Sequence, residues 1–241
     1  MQEQKTHREV KSPRISLRYL ADYMFASDVA RRTILRNCKY QPIARVVQHD
    51  EAKLAVGRFI RSGRADVGAL KAEAQKLRER MADSDFDRDV LDHNADYIER
   101  FAKVQSGVVL PNAEIVIPGR PMVVQLGDVK LTAELQFRLR RLTRTNKVRV
   151  GAGALRYAKG APLKQAVGEW QSAILCGLIR LSPPEDEAEA ELKLCLTIDA
   201  FSGSCFAAPT DAVRRFKNAE AACATIAEQW PNIVPPSNVV V

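Results

Sequence analysis

No stretch of this sequence approaches the roughly 18 uninterrupted apolar residues that a bilayer-spanning helix requires, so a membrane protein is not expected. Histidine is scarce: His7, His49 and His93 are the only three, and they lie far from one another and from the cysteines. The five cysteines, Cys38, Cys176, Cys195, Cys205 and Cys223, are odd in number, widely spaced and set mostly in apolar runs. That is the pattern of reduced core thiols and not of a disulfide framework. No two share the close spacing of zinc or iron–sulfur ligands. No glycine-rich loop leads into a helix as a phosphate cradle does, and no serine or cysteine stands beside a histidine in a nucleophile pattern. Internal repeats and low-complexity tracts are missing too. Residues 1–11 are polar, carry charges of both signs and lack an apolar core or a small-residue cleavage site. They read as a frayed tail and not as a secretory or lipidation signal, which makes the cytoplasm the expected location.

What the chain does have is localised positive charge. Its net charge is +8 and its pI near 9.4. Residues 129–180 hold eleven basic side chains against two acids, Glu134 and Glu169, a local net of +9 that leaves the remainder nearly neutral. A field of that sign attracts phosphate backbones or acidic surfaces, though a solvated basic face would have the same composition.

The 241 residues fit one large domain or two modest ones. Up to about residue 106 the pattern is helical. Ser16 and Ser27 each precede an apolar stripe of helical period, a third helix is expected over 50–61, Asp66 can cap a fourth, and Ser84 or Asp85 a fifth reaching about Gln105. These helices read as a small bundle. Arg31, Arg32, Arg36 and Lys39 share the second, which faintly suggests a helix-turn-helix.

From Gly107 the period changes from 3.6 to 2. Residues 115–117 and 122–126 read as a hairpin around Pro118, Gly119, Arg120 and Pro121. Over 129–140 apolar and polar residues alternate without exception, which predicts one long strand with a core face and an open face. A strand over 147–157 follows, with Gly151 and Gly153 suggesting a bulge or a close backbone approach. Then come an apolar helix over 163–181, an acidic linker over 185–191, a strand over 192–198 and its continuation to 208. Thr210 or Asp211 caps a last helix, and the tail after Trp230 reads as irregular. The expected fold class is α+β, with a helical region over 1–106 and a mixed sheet flanked by helices over 107–241.

Glu134 is the lone carboxylate on the polar side of the alternating run, beside Lys130, Arg138 and Arg140; a neutralising role across the sheet face is open to it. The order of antiparallel strands, helix, strand and helix, preceded by helices, resembles the PD-(D/E)XK nuclease fold, in particular its RecB-like exonuclease branch. Over residues 112–210, Glu134 resembles that family's first carboxylate. Residues 156–160, Arg-Tyr-Ala-Lys-Gly, resemble its carboxylate–aromatic–lysine run, and Gln165 or Gln171 with Trp170 resembles its helical motif. The resemblance implies Glu134 as metal ligand and, with Lys159, as catalytic residue, around a magnesium ion. Two departures stand out: Arg156 occupies the carboxylate position, and Lys159 is displaced by one residue. The fold is thus expected in degenerate form, unless the carboxylates come from Asp128, Glu169 or Asp199.

Phosphate recognition needs only cations on a fixed frame. Lys130, Arg138, Arg140, Arg141, Arg144, Lys147, Arg149 and Arg156 are the expected nucleic-acid contacts, converging on one open surface, and Tyr157 and Trp170 could stack on bases. The leading expectation is a nucleic-acid-binding protein without a cofactor. The alternatives are an active magnesium-dependent nuclease with a migrated site, or a non-enzymatic subunit whose helical region meets a protein partner.

Overall fold

The computed structural model describes residues 6–43, 49–185, 187–236 and 240. In chain order they form β1 (His7–Glu9), β2 (Arg14–Ser16), α1 (Leu17–Phe25), α2 (Asp28–Lys39), β3 (Tyr40–Pro42), α3 (Asp50–Arg61), α4 (Val67–Glu79) and α5 (Asp85–Val104). There follow β4 (Glu114–Val116), β5 (Met122–Leu126), β6 (Val129–Ala133), β7 (Phe137–Leu142), β8 (Val148–Arg156), α6 (Gln165–Leu181), β9 (Glu189–Asp199), β10 (Cys205–Ala207) and α7 (Ala212–Gln229). The chain is mixed α+β. No helix among the described residues is long and apolar enough to cross a membrane.

Side-chain caps start four of the helices where the sequence places them. Ser16, Ser27, Asp66 and Ser84 accept from the backbone N–H three residues on, at 3.3, 3.5, 2.8 and 3.1 Å, filling donors that the first turn leaves open.

The sheets differ from expectation at several points. Residues 129–140 are not one strand. They bend at residues 134–136, so that β6 joins the three-stranded sheet β2-β6-β5 and β7 the five-stranded sheet β10-β9-β8-β7-β4. The alternation survives because the two segments feed different cores: Val129, Leu131, Ala133 and Leu135 belong to one, Phe137 and Leu139 to the other. The expected hairpin also dissolves, since β4 pairs with β7 and β5 with β6. β9 runs parallel to β8 after the α6 crossover.

The two cores cover opposite faces of the five-stranded sheet, as the alternation of Cys195 with Leu194 and Leu196 in β9 requires. α1, α6 and α7 pack on one side, and α3, α4 and α5 gather on the other. The helices before residue 106 therefore do not make one bundle: α1 packs against α6 on one side, while α3 and α4 pack on α5 on the other. β2 pairs in parallel with β6, so the first part of the chain also contributes a strand to the second part's sheets.

The amino-terminal segment is likewise more ordered than a frayed tail: His7–Glu9 pairs with Tyr40–Pro42, while residues 1–5 lie outside the described residues. Lys39 is buried and its ammonium donates to the carbonyls of Trp230 and Ile233 at 2.9 and 3.0 Å. α2 thus anchors the carboxyl-terminal segment through Lys39. All five cysteines are free, and all but Cys205 are buried.

Gly151 and Gly153 answer to close approach. A Cβ at Gly153 would fall 2.0 Å from Phe137 Cζ, and one at Gly151 2.1 Å from the carbonyl oxygen of Leu194. The pairing of β8 with β9 also shifts register between Val150 and Ala152.

Candidate functional site

The bend between β6 and β7 opens a cavity of about 220 Å³. Its walls come from the start of α1 (Ser16, Leu17, Arg18), the start of α3 (His49, Lys53), Tyr97 of α5, Thr132 of β6, the bend residues Glu134 and Gln136, the end of β8, and Gln171 of α6.

Gln136 holds the bend in place. Its backbone N–H donates to the Gly153 carbonyl at 2.9 Å, its side-chain oxygen accepts from Leu155 N–H at 3.0 Å, and its own carbonyl accepts from Arg61. Glu134 is thereby fixed at the cavity, where Lys53 donates to its Oε2 at 2.8 Å. The pair is partly solvated, so its net contribution to stability is small.

Two further groups shape the electrostatics of the cavity, Arg18 as a cation and His49 as a group held toward its neutral form. Arg18 makes no ion pair among the described residues. His49 has its Nδ1 buried without a hydrogen-bond partner among them. Burial pulls the His49 pKa down, and the positive charges of His93, Lys53 and Arg18 push the same way, with Asp50 opposing. A protonated imidazole there is disfavoured chiefly because the ring is removed from solvent, and further because the surroundings are cationic. His49 stands edge-on to Tyr97 and Tyr157, which stack on each other at 4.0 Å and 7°. With both rings engaged in this way, Tyr157 serves packing; burial also raises the Tyr97 pKa well above its ordinary value.

The remaining sequence-predicted residues fall elsewhere. Lys159 does not line the cavity: its ammonium donates to Asp96 at 2.7 Å, and that bond, with Arg78 second, lowers the Asp96 pKa. Arg156 is buried, donating to Asp22 at 2.8 Å, to Gln171 Oε1 at 3.1 Å and to the Arg18 carbonyl at 3.2 Å. Burial lowers its pKa and Asp22 opposes the shift. Asp199 is buried as a turn clamp, accepting from the backbone of Leu163 and Phe201 and from Ser202 Oγ. Glu169 binds Arg215 and accepts from Gln165, Asp128 lies in the β5–β6 turn, and Trp170 has the Arg215 guanidinium over its ring.

The expected single basic surface does not form. Because side chains alternate, Arg138 and Arg140 share the α6 side of the sheet with Val150 and Ala152, whereas Arg141 and Arg149 project from the other side. Acids of the linker and of β9 match most of them. Arg140 binds Glu185 at 2.8 Å, Arg141 binds Glu191 at 2.5 Å, Arg149 pairs with Glu189, and Lys147 reaches Glu189 at 3.7 Å. Lys130, Arg138 and Arg144 make no ion pair among the described residues, and Arg138 is half-buried with its Nε unpartnered.

A different cationic strip is present. In the parallel β2–β6 pair, exposed Arg14 lies directly beside exposed Lys130, and Ser16 beside Thr132. Thr132 and Ser16 lead into the cavity and to Arg18 and Lys53. Among the described residues the Arg14 side chain donates to the neutral Gln41 Oε1, at 3.3 Å, and makes no ion pair, so the like charges stand uncompensated there. Arg14, Arg18, His49 and Lys53 escaped sequence reasoning because they come from separate segments with no motif spacing between them.

Magnesium, which the resemblance to the nuclease fold implies, takes a set of hard oxygen ligands. The cavity offers one carboxylate, Glu134, already bound to Lys53 and accompanied by Arg18, and the expected second position holds the Arg156 guanidinium. No three His, Cys, Asp or Glu side chains among the described residues are grouped to hold a metal ion. The residues present do not fit that ion. No protein-family model matches the sequence, and no curated protein matches it.

Proposed function

We propose that this protein binds nucleic acid through the phosphate backbone, on a nuclease-like α+β domain without the metal ligands of that fold. The observation that carries the reading is the uncompensated pair Arg14 and Lys130 on neighbouring strands, continued by Arg18 and Lys53 at the cavity. Like charges on adjacent strands, about 4.8 Å apart, repel, and a bound phosphate relieves that repulsion. In support of the nuclease-like frame, β4, β7 and β8 form an antiparallel run followed by the α6 crossover to parallel β9. Glu134 and Gln171, the two residues that resemble the family's motifs most simply, line the same cavity.

Labelled single- and double-stranded oligonucleotides, titrated at low salt with and without magnesium, test the reading. The double reversal Arg14→Glu with Lys130→Glu should weaken binding about tenfold or more. Arg141→Gln with Arg149→Gln, which removes cations already matched by acids, should leave affinity within about twofold. No binding by the parent chain at low salt overturns the reading in favour of a protein partner. Magnesium-dependent cleavage that Glu134→Ala abolishes would instead establish a nuclease.

A further inference from the structure

We propose that the cavity between the first turns of α1 and α3 takes a terminal phosphoryl group, the monoester end of a nucleic-acid strand, held by Arg18, Lys53 and His49. The source of the group rests on the nucleic-acid reading above; the phosphoryl chemistry rests on the cavity alone.

Four observations converge on it. The cavity of about 220 Å³ is walled by residues of α1, α3, α5, β6, β8 and α6, which suits a chain end better than a strand passing through. Arg18 and Lys53 supply two positive charges; Glu134 is the one carboxylate lining the cavity, and Asp50 stands 3.6 Å from the Lys53 ammonium. A phosphate monoester carries about −1.5 to −2 charges near neutrality, where an internal diester carries one, so the monoester matches both cations. Leu17 and Arg18 open α1 at the cavity; Ser16 Oγ caps the Tyr19 N–H, and the Arg18 N–H of the same first turn has no partner within its own helix. Finally, the buried Nδ1 of His49 lacks a hydrogen-bond partner among the described residues, and a phosphoryl oxygen would supply one.

Glu134 is the opposing feature, and its place defines its part. It accepts from the Lys53 ammonium at 2.8 Å. An incoming dianion competes with Glu134 for that ammonium. The groups facing His49 are Arg18 from α1, Lys53 and Asp50 from α3, His93 and Tyr97 from α5, and Tyr157 beyond β8. A dianion among them reverses the local sign and favours the imidazolium.

The test uses the full chain and two probes. One is a single-stranded oligonucleotide bearing a terminal phosphate, compared with its hydroxyl-ended twin. The other is inorganic phosphate, followed through the His49 ring resonances across a pH titration. The expected results are at least about tenfold tighter binding of the phosphorylated strand, a difference erased in Arg18→Gln and Lys53→Gln, and an upward move of the His49 titration by about one pH unit on adding phosphate. Equal affinity for the two strands with an unmoved His49 overturns the inference and leaves the nucleic-acid reading standing. A His49 response to phosphate with no binding of either strand supports the phosphoryl pocket and overturns the nucleic-acid reading.

Discussion

Lys53 Nζ donates to Glu134 Oε2 at 2.8 Å and so joins the first turn of α3 to the bend between β6 and β7. Glu134→Gln breaks the ion pair while keeping a hydrogen-bonding group of the same size. Lys53 then keeps only the longer pairing with Asp50 at 3.6 Å among the described residues, and binding of inorganic phosphate should tighten severalfold. The midpoint of thermal unfolding should move little, because partly exposed pairs contribute about 0–1 kcal/mol. Phosphate binding weakened by this substitution would show that Glu134 acts as a ligand or an acid and not as a placeholder.

The Arg156–Asp22 pair is of another kind, since the arginine side chain is only 10% exposed and Asp22 28%. Arg156→Met leaves Asp22 and Gln171 without their donor, and a loss of about 3 kcal/mol is expected in urea unfolding. Adding Asp22→Leu should restore much of it, because an apolar pair needs no desolvation of charge. A single substitution without measurable cost would mean that solvent already screens the pair.

Gly153→Ala places a methyl group 2.0 Å from Phe137 Cζ in the core beneath the cavity. Either the ring or β8 must shift, and the cost should be about 3 kcal/mol. Gly119, at φ +72° with open space around it, offers the contrast of a strained but uncrowded site, where alanine should cost about 1 kcal/mol.

His49 sets a dependence on pH. Its folded pKa lies below the ordinary value of 6.5, chiefly because of burial. Below 6.5 the unfolded chain therefore binds the proton more readily, and the contribution of His49 to stability, fully present above 6.5, falls as pH falls toward the folded value. Urea midpoints at several pH values between 5 and 8 should show this slope, and His49→Gln should flatten it. An unchanged slope in the variant would assign the effect to other groups.

The helix starts were legible because a capping serine or aspartate followed by an apolar stripe is a local signal, and Ser16, Ser27, Asp66 and Ser84 all carry it. The mixed α+β character followed from the change of period near Gly107. Strand pairing was not legible: the strict alternation over residues 129–140 says which side chains seek a core, not that two cores exist. The basic array misled for a related reason. Arg140, Arg141 and Arg149 stand out in sequence, but Glu185, Glu191 and Glu189, which match them, arrive only after α6 and the crossover. Glu134 was expected beside Lys130, Arg138 and Arg140, yet its ion-pair partner among the described residues is Lys53, a residue with no motif to distinguish it. Nothing local announces a cavity assembled from the first turns of two helices and a bend between sheets.

If Arg14 and Lys130 hold phosphate on the β2–β6 face, the salt dependence of single-strand binding reports it. Each cation that neutralises a phosphate adds about 0.7 to the slope of log affinity against log salt for a single strand. Neutralising Arg14 and Lys130 together to glutamine should reduce that slope by about 1.4. The same slope in the parent and the variant would mean that Arg14 and Lys130 hold no phosphate.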